Sequence, residues 1–422
     1  MADALRREDG RRRVVVTGMG AVTPVGLSVQ EYWDSLVAGR SGLGPITHFD
    51  PTGYPCRIAS EVKGFDPKNY MDLRESRRMA RFSQLAVAAA VEAVKSSGID
   101  FGAEDCDRVG VLMGNGNGGL PTVEAEVRTI IHRGGDKVTP FLMPMELPNM
   151  AAAQVSLRFG LRGYNSTVIT ACAASSQSLG DALEVMRRGA ADVMLAGGTE
   201  SGITEIALAG FSQLRALSTR NDAPEKASRP FDKDRDGFVA AEGAAMLVLE
   251  TLEHALQRNA PILAELRGYG ATADAYHLVA PDEDGRGAAR AMRMALDDAG
   301  VGLDEVDYIN AHGTSTPLND LTETIAIKRA FGDLAYRIPI SSTKSMIGHM
   351  LGGGGAVEAV ACVKTILDGI IHPTINLETS DPQCDLDYVP NVARRQQVRR
   401  VLSNSFGFGG QNACLLFQAY EA

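Results

Sequence analysis

No apolar run in this 422-residue chain reaches the roughly 20 residues a helix needs to cross a bilayer, so no membrane span is expected. The stretch Met1-Ala-Asp-Ala-Leu-Arg-Arg-Glu-Asp-Gly-Arg-Arg-Arg13 lacks the apolar core of a signal peptide, and export is not expected. Residues 1–12 read as a flexible, solvated lead-in to the first strand. Cysteine is sparse and scattered: Cys56, Cys106, Cys172, Cys362, Cys384 and Cys414 form no CxxC pair and no metal-like spacing. Structural zinc is therefore not expected, and a reducing, cytoplasmic setting fits. Basic excess is missing as well. A formal net charge of −10 gives nucleic acid no electrostatic footing, and an acidic macromolecule would need a local basic patch.

What is present is core. Hydrophobic residues make up 45% of the chain and charged residues 22%, as in a globular protein large enough for two domains or one duplicated unit. Short β-branched runs such as Arg13–Thr17, Val109–Met113, Val193–Gly197 and Ala244–Leu249 alternate with Ala-rich helical stretches such as Phe82–Val94. This alternation predicts an α/β fold, and nearly continuous apolar strands predict sheets covered on both faces.

The two halves also rhyme. Val109-Gly-Val-Leu-Met-Gly-Asn-Gly-Asn-Gly118 parallels Val306-Asp-Tyr-Ile-Asn-Ala-His-Gly313, and Gly243–Leu249 parallels Gly410–Phe417. Internal duplication is the economical account, with its joint near residues 253–259; convergent α/β patterning is the alternative. The expected halves are residues 13–258 and 259–422.

Four places carry chemistry. Cys172 stands between the strand-like Ser166–Thr170 and a helical run from Ser178 to Gly189. A thiol at a helix start feels the positive end of the dipole, which predicts a stabilised thiolate and a nucleophile; a packed structural cysteine is the other reading. His312 follows an apolar strand and opens a Gly/Thr/Ser loop, and His349 precedes Gly352-Gly-Gly-Gly355, where backbone approaches closely. His48, His132, His254 and His372 have no such context and read as surface or packing residues, with His277 intermediate. The segment Ser403-Asn-Ser-Phe-Gly-Phe-Gly-Gly410 alternates bulky rings with flexible backbone. It suits amides facing an oxyanion beside a gating ring, or an ordinary Gly-rich turn.

Taken together, Thr170-Ala-Cys172, Asn310-Ala-His-Gly-Thr-Ser-Thr-Pro317, Lys344-Ser-Met-Ile-Gly-His349 and Asn404-Ser-Phe-Gly-Phe-Gly-Gly410 resemble the β-ketoacyl-[acyl carrier protein] synthases, above all the type II elongating class. The likeness runs from about Arg13 to the C-terminus. It implies the thiolase fold, a duplicated five-layer α-β-α-β-α arrangement, as a homodimer. It implies Cys172 as nucleophile, His312 and His349 as its partners, and Lys344 and Glu358 as a supporting charged pair. By the same resemblance the backbone N–H groups of Cys172 and Phe408 form the oxyanion hole. Thr314 and Thr316 bind the pantetheine amides, and Asn117, Phe211, Phe406 and Gly409 contact substrate. Arg74, Arg77, Arg78, Lys137 and Arg215 dock an acidic acyl carrier protein, the first three on a short helical stretch 74–81. No bound cofactor or metal is implied, because the carrier protein delivers its own phosphopantetheine arm.

Four positions depart from that family's pattern. Asn117 stands where an aliphatic residue is usual, Gln411 where Thr is common, Val279 in place of a small hydroxyl residue, and Ser175 in place of Gly. None touches the Cys-His-His set. The reaction expected is decarboxylative condensation of an acyl with a malonyl thioester in fatty acid elongation. A ketosynthase of a dissociated polyketide or specialised lipid pathway is the alternative, favoured by Asn117. Two further readings fare worse. An inactive chain-length factor would lack the nucleophile, and a thiolase proper would want a second catalytic cysteine, whereas Cys414 falls inside a predicted strand.

Overall fold

The computed structural model describes residues 5–7 and 9–421. Ten strands form its main sheet: β1 (Val14–Val22), β2 (Val109–Gly114), β3 (Asn165–Val168), β4 (Val193–Ser201), β5 (Glu242–Thr251), β6 (Ala264–Ala273), β7 (Tyr308–Asn310), β8 (Ile340–Ser341), β9 (Arg400–Gly407) and β10 (Gln411–Gln418). Their spatial order is β8-β7-β9-β10-β6-β1-β5-β4-β2-β3. Read outward from the centre, each half repeats one pattern. Strands β1, β5 and β4 are antiparallel neighbours and β4, β2 and β3 parallel ones; β6, β10, β9 and then β9, β7, β8 do the same. Within the sheet the halves join where Val15 lies opposite Glu265 and Val16 opposite Ala264.

That repetition is the duplicated thiolase fold in strand order. Strands β2 and β7, matched in the sequence, occupy equivalent places, and so do β5 and β10. Helix Arg81–Ser97 covers β1, β5 and β4 on one outer face, and Arg286–Ala299 covers β6 and β10 on the other. Between the two halves lie helices Ala174–Arg187 and Gly354–Asp368, which touch each other and strands of both halves. Their near-complete burial follows from composition: Ala and Gly let backbones approach, and Leu179, Leu183, Val357 and Val360 fill the remaining space.

The lead-in differs from expectation. Residues 1–4 and 8 lie outside the described residues. Arg11 and Arg12 are not free in solvent but ion-paired with Asp298 and Asp192, because the body of the fold presents carboxylates there.

Candidate active site

Cys172 lies in a single 3₁₀ turn, Ala171–Ala173, leading directly into helix Ala174–Arg187. The helix starts before the expected Ser178, and no side chain caps it. Ala171 has φ 48°, a left-handed conformation unusual for a residue with a Cβ. The turn tips the Cys172 side chain toward the C-terminal half, where His349 Nε2 lies 3.0 Å from its sulfur.

His312 completes the group. The Cys172 sulfur and a ring nitrogen of each histidine all lie within 4.8 Å of one another, and the two rings meet edge to face with centroids 5.4 Å apart. Among the described residues this is the one set of Cys, His and carboxylate side chains spaced to hold a metal ion. The Lys344 ammonium stands 3.4 Å from His312 Nδ1 and opposes a second cation there.

Lys344 and Glu358 form a buried ion pair, with Lys344 only 2% exposed at its side chain. The supporting pair expected near His349 therefore makes its direct contact with His312. Burial pushes both imidazoles well below the ordinary histidine value, and the Lys344 charge pushes the same way. Both rings are neutral at pH 7 as a result.

The thiol corrects an expectation. Burial pushes Cys172 up to about 11, although the Lys344 charge and the backbone N–H groups of Phe408 and Cys172 pull it down. Desolvation outweighs the helix start, so the resting group is a neutral thiol rather than a thiolate. The same N–H groups of Phe408 and Cys172 converge on the sulfur, as donors for an oxygen forming beside it would.

A cavity of about 650 Å³ opens onto these residues. Asn117, Phe211, Arg215, Thr314, Thr316 and Phe406 all line it, together with Phe408. Phe406 stacks edge-on against His312 at 5.7 Å. Thr314 and Thr316 share a hydrogen bond of 2.9 Å, and Thr316 also caps helix Pro317–Phe331 through the N–H of Asn319. The capping role and the cavity position coexist.

Other expected site residues fall elsewhere. Gly409 does not line the cavity; it is exposed, and its N–H is donated to Leu278 O at 2.8 Å. Arg74, Arg77 and Arg78 line a separate surface groove with Phe141, over which Arg78 lies at 5.0 Å. The helix there, opened by an Asp72–Glu75 capping box, is only Leu73–Ser76, with Arg77 as its C-cap and Arg78 beyond it. Arg81 leaves the patch altogether, since the buried Glu242 carboxylate draws it inward at 2.7 Å. Lys137 is exposed and paired with Asp136. Of the five docking candidates only Arg215 reaches the cavity.

The departures from the family pattern take definite places. Asn117 and Val279 line the cavity, and Gln411 is exposed on β10. Ser175 Oγ accepts the N–H of Ala356 at 3.0 Å, tying the Cys172 helix to helix Gly354–Asp368. Cys414 is buried in β10, far from the role of a second nucleophile.

Two buried carboxyls were missed in the sequence. Glu323 accepts the N–H groups of His312 and Gly313 at 2.8 and 2.7 Å and the side-chain amide of Asn404 at 3.2 Å. Glu200 accepts those of Gly116, Asn117 and Gly352 at 3.0, 3.3 and 3.1 Å. Burial pushes each up to about 7. The readable signal for Glu200 was a carboxylate ending the apolar β4; Glu323, inside a helix, offered none.

A buried thiol and two neutral imidazoles share one cavity on a duplicated thiolase fold, the fold of the condensing enzymes. The chain belongs to the β-ketoacyl synthase family: residues 11–255 match the family's N-terminal domain and residues 263–378 its C-terminal domain. It is 51% identical to the 3-oxoacyl-[acyl-carrier-protein] synthase 2 of Synechocystis sp. over 97% of this chain and 99% of that one. The enzyme of the same name from Coxiella burnetii is 49% identical, over 96% and 98%. Among solved structures, a β-ketoacyl synthase from Burkholderia phymatum superposes with TM-score 0.90 at 39% identity, covering 97% of this chain and all of that one. The ishigamide ketosynthase/chain length factor gives TM-score 0.90 at 40% identity, again over 97% and 100%.

Proposed function

We infer that the protein is an elongating β-ketoacyl-[acyl carrier protein] synthase, joining an acyl group to the two carbons left when a malonyl thioester loses CO2. The observation that carries the residue roles is the 3.0 Å approach of His349 Nε2 to the Cys172 sulfur inside a cavity that also holds His312.

Because the resting sulfur is protonated, attack and deprotonation belong together. Sulfur bonds to the carbonyl carbon of the acyl thioester as its proton passes to His349. The oxyanion is held by the N–H groups of Cys172 and Phe408, a contribution of about 3–4 kcal/mol for one preorganised donor. On collapse, the carrier's pantetheine thiolate leaves and takes the proton, and the acyl group remains on Cys172.

In the second half-reaction the malonyl carboxylate departs as CO2, and its electron pair becomes an enolate at the thioester. Neutral imidazole N–H groups of His312 and His349 stabilise that oxygen, and the Lys344–Glu358 pair keeps His312 neutral and in place. The enolate carbon attacks the acyl carbon and expels the Cys172 thiolate, which is reprotonated. One acyl and one malonyl thioester with one proton thus yield the β-ketoacyl thioester, CO2 and free carrier thiol.

Thr314 and Thr316 present hydroxyls suited to the amides of a pantetheine arm, and Phe211 and Phe406 border the chain. Phosphopantetheine arrives on an acyl carrier protein, for which Arg215 offers a positive contact at the cavity. One solved relative is a ketosynthase in complex with a type II polyketide acyl-carrier protein, at 35% identity and TM-score 0.88 over 97% of this chain and all of that one. The groove of Arg74, Arg77 and Arg78, with Lys137, belongs to the same docking reading. A homodimer also belongs to it: β3 is an edge strand, and Leu157, Tyr164 and Ile169 are exposed around it. Absence of a helix long and apolar enough to cross a membrane among the described residues accords with a cytoplasmic setting.

The test is incubation with acyl- and malonyl-carrier proteins, read by intact mass. Wild type is expected to gain one acyl group and then release a product two carbons longer, while Cys172→Ala gains none. Acylation persisting in Cys172→Ala would overturn the assignment of the nucleophile.

A further inference from the structure

Asn117 carries an amide that the protein leaves unpaired at the wall of the Cys172 cavity. Its Nδ2 is buried and has no hydrogen-bond partner. The carboxylate nearest at hand, Glu200, is occupied by backbone N–H groups, including that of Asn117 itself. On the other side lies Gly202, where a Cβ would come within 2.7 Å of the amide nitrogen. Nothing in the fold therefore rewards an amide here over an apolar side chain of the same size, and a buried unpaired donor is penalised.

Its surroundings make the amide conspicuous. Ile169, Ala171, Phe211, Leu214, Ala216 and Phe238 are the apolar side chains of the cavity wall contributed by the first half of the chain. Apart from Cys172, the polar side chains of that wall are Asn117 and Arg215, and Arg215 is exposed. Asp274, His277, Thr314, Thr316, Asn319 and Asn412 come from the second half, and of these the two threonines were read above as meeting pantetheine. As the side chain stands the amide nitrogen is closed off from the open cavity, and a saturated chain gives the carboxamide no partner whichever way it turns. A hydroxyl on the chain both donates and accepts, so it pairs with whichever end of the carboxamide turns toward it.

We propose that Asn117 is a specificity-determining residue that selects acyl chains bearing a hydroxyl where the chain passes the Gly116–Asn117 wall. This rests on the reading that Cys172 carries the acyl group. Discrimination arises because a site with a buried polar group penalises the analogue that cannot pair with it.

The experiment loads the full-length enzyme from acyl-carrier proteins of equal chain length. One is saturated, and the others carry a single hydroxyl moved along the chain. The rate of acyl-Cys172 formation is read by intact mass. At least one positional isomer is expected to load about tenfold faster than the saturated chain. Asn117→Leu should bring that ratio close to one, and Asn117→Ser, which keeps a donor, should retain part of it. Equal loading of all isomers by wild type, or a preference that survives Asn117→Leu, would overturn the proposal. Wild-type ranking decides even if a variant fails to fold. Loading without discrimination defeats this inference alone, whereas no loading from any chain defeats the acyl-cysteine reading beneath it as well.

Discussion

Ala171 and Leu351 hold the same left-handed backbone conformation, φ 48° and 42°, at equivalent points of the two halves. Each opens a 3₁₀ turn that feeds a central helix, Ala171–Ala173 before Ala174–Arg187 and Leu351–Gly353 before Gly354–Asp368. The duplication thus extends to the strained residue beside the nucleophile, and Cys172 corresponds to Gly352. One copy of the turn presents a thiol to the cavity. The other gives up its side chain so that backbone can pack on backbone.

Gly352→Ala tests this division of labour. A Cβ at Gly352 would overlap the backbone of Asn115 and Gly116, which has no flexible end to give way. A loss of about 1–3 kcal/mol is expected, as for overpacking elsewhere. Denaturant titration checks it. The displaced Gly116–Asn117 segment should also slow acyl loading at Cys172, and unchanged stability with unchanged loading would show that the two segments are not coupled.

Alkylation of the resting enzyme should report a neutral thiol. With burial holding Cys172 up to about 11, the iodoacetamide rate should climb with pH through 9 without reaching a plateau. Lys344→Met removes a charge that lowers this group, so its rate at any given pH should fall further. A plateau at or below pH 8.5 in wild type would refute the protonated resting state.

The Lys344–Glu358 pair predicts asymmetric damage. Glu358→Ala leaves a buried ammonium uncompensated and should cost about 3–5 kcal/mol. The double variant Lys344→Met/Glu358→Leu should recover most of that stability in urea titrations, because it buries no charge. It should not recover malonyl decarboxylation, since His312 loses the ammonium beside its Nδ1. Full recovery of both would reduce the pair to a packing element.

Much of this was legible in the chain, for identifiable reasons. Cys172, His312 and His349 sit at strand ends flanked by small residues, and the strand rhyme of Val109–Gly114 with Tyr308–Asn310 showed the duplication. What escaped depends on distant partners. The helix start at Ala174 carries no capping side chain, so the local signal pointed instead to Ser178. Arg81 looked like a surface cation until Glu242, from another strand, drew it inward. The thiol's protonation follows from burial by both halves, which no local pattern expresses. Glu200 and Glu323 have only backbone and amide partners, and those partners come from other loops and strands on both sides of them in the chain.

Glu323 gives a prediction whose sign can be worked out. Burial raises it to about 7, so between about pH 4.5 and 7 the folded protein holds a proton that the unfolded chain releases. This contribution to stability is complete at low pH and is lost as pH rises through 7. The buried histidines act oppositely. His312 and His349 lie well below the ordinary value and His372 is pushed to about 4, so acidification below about pH 6.5 protonates them only in the unfolded chain and destabilises the fold. In wild type the two effects offset one another across the shared window. Glu323→Gln removes one proton from the opposing side. Its stability should therefore fall more steeply than wild type from pH 7 to 5, by up to about 1.4 kcal/mol per pH unit. Urea titrations at several pH values measure the two slopes, and the comparison is insensitive to the constant cost of the lost hydrogen bonds. Parallel slopes would mean that Glu323 is already ionised in the folded protein, held as a carboxylate by the N–H groups of His312 and Gly313.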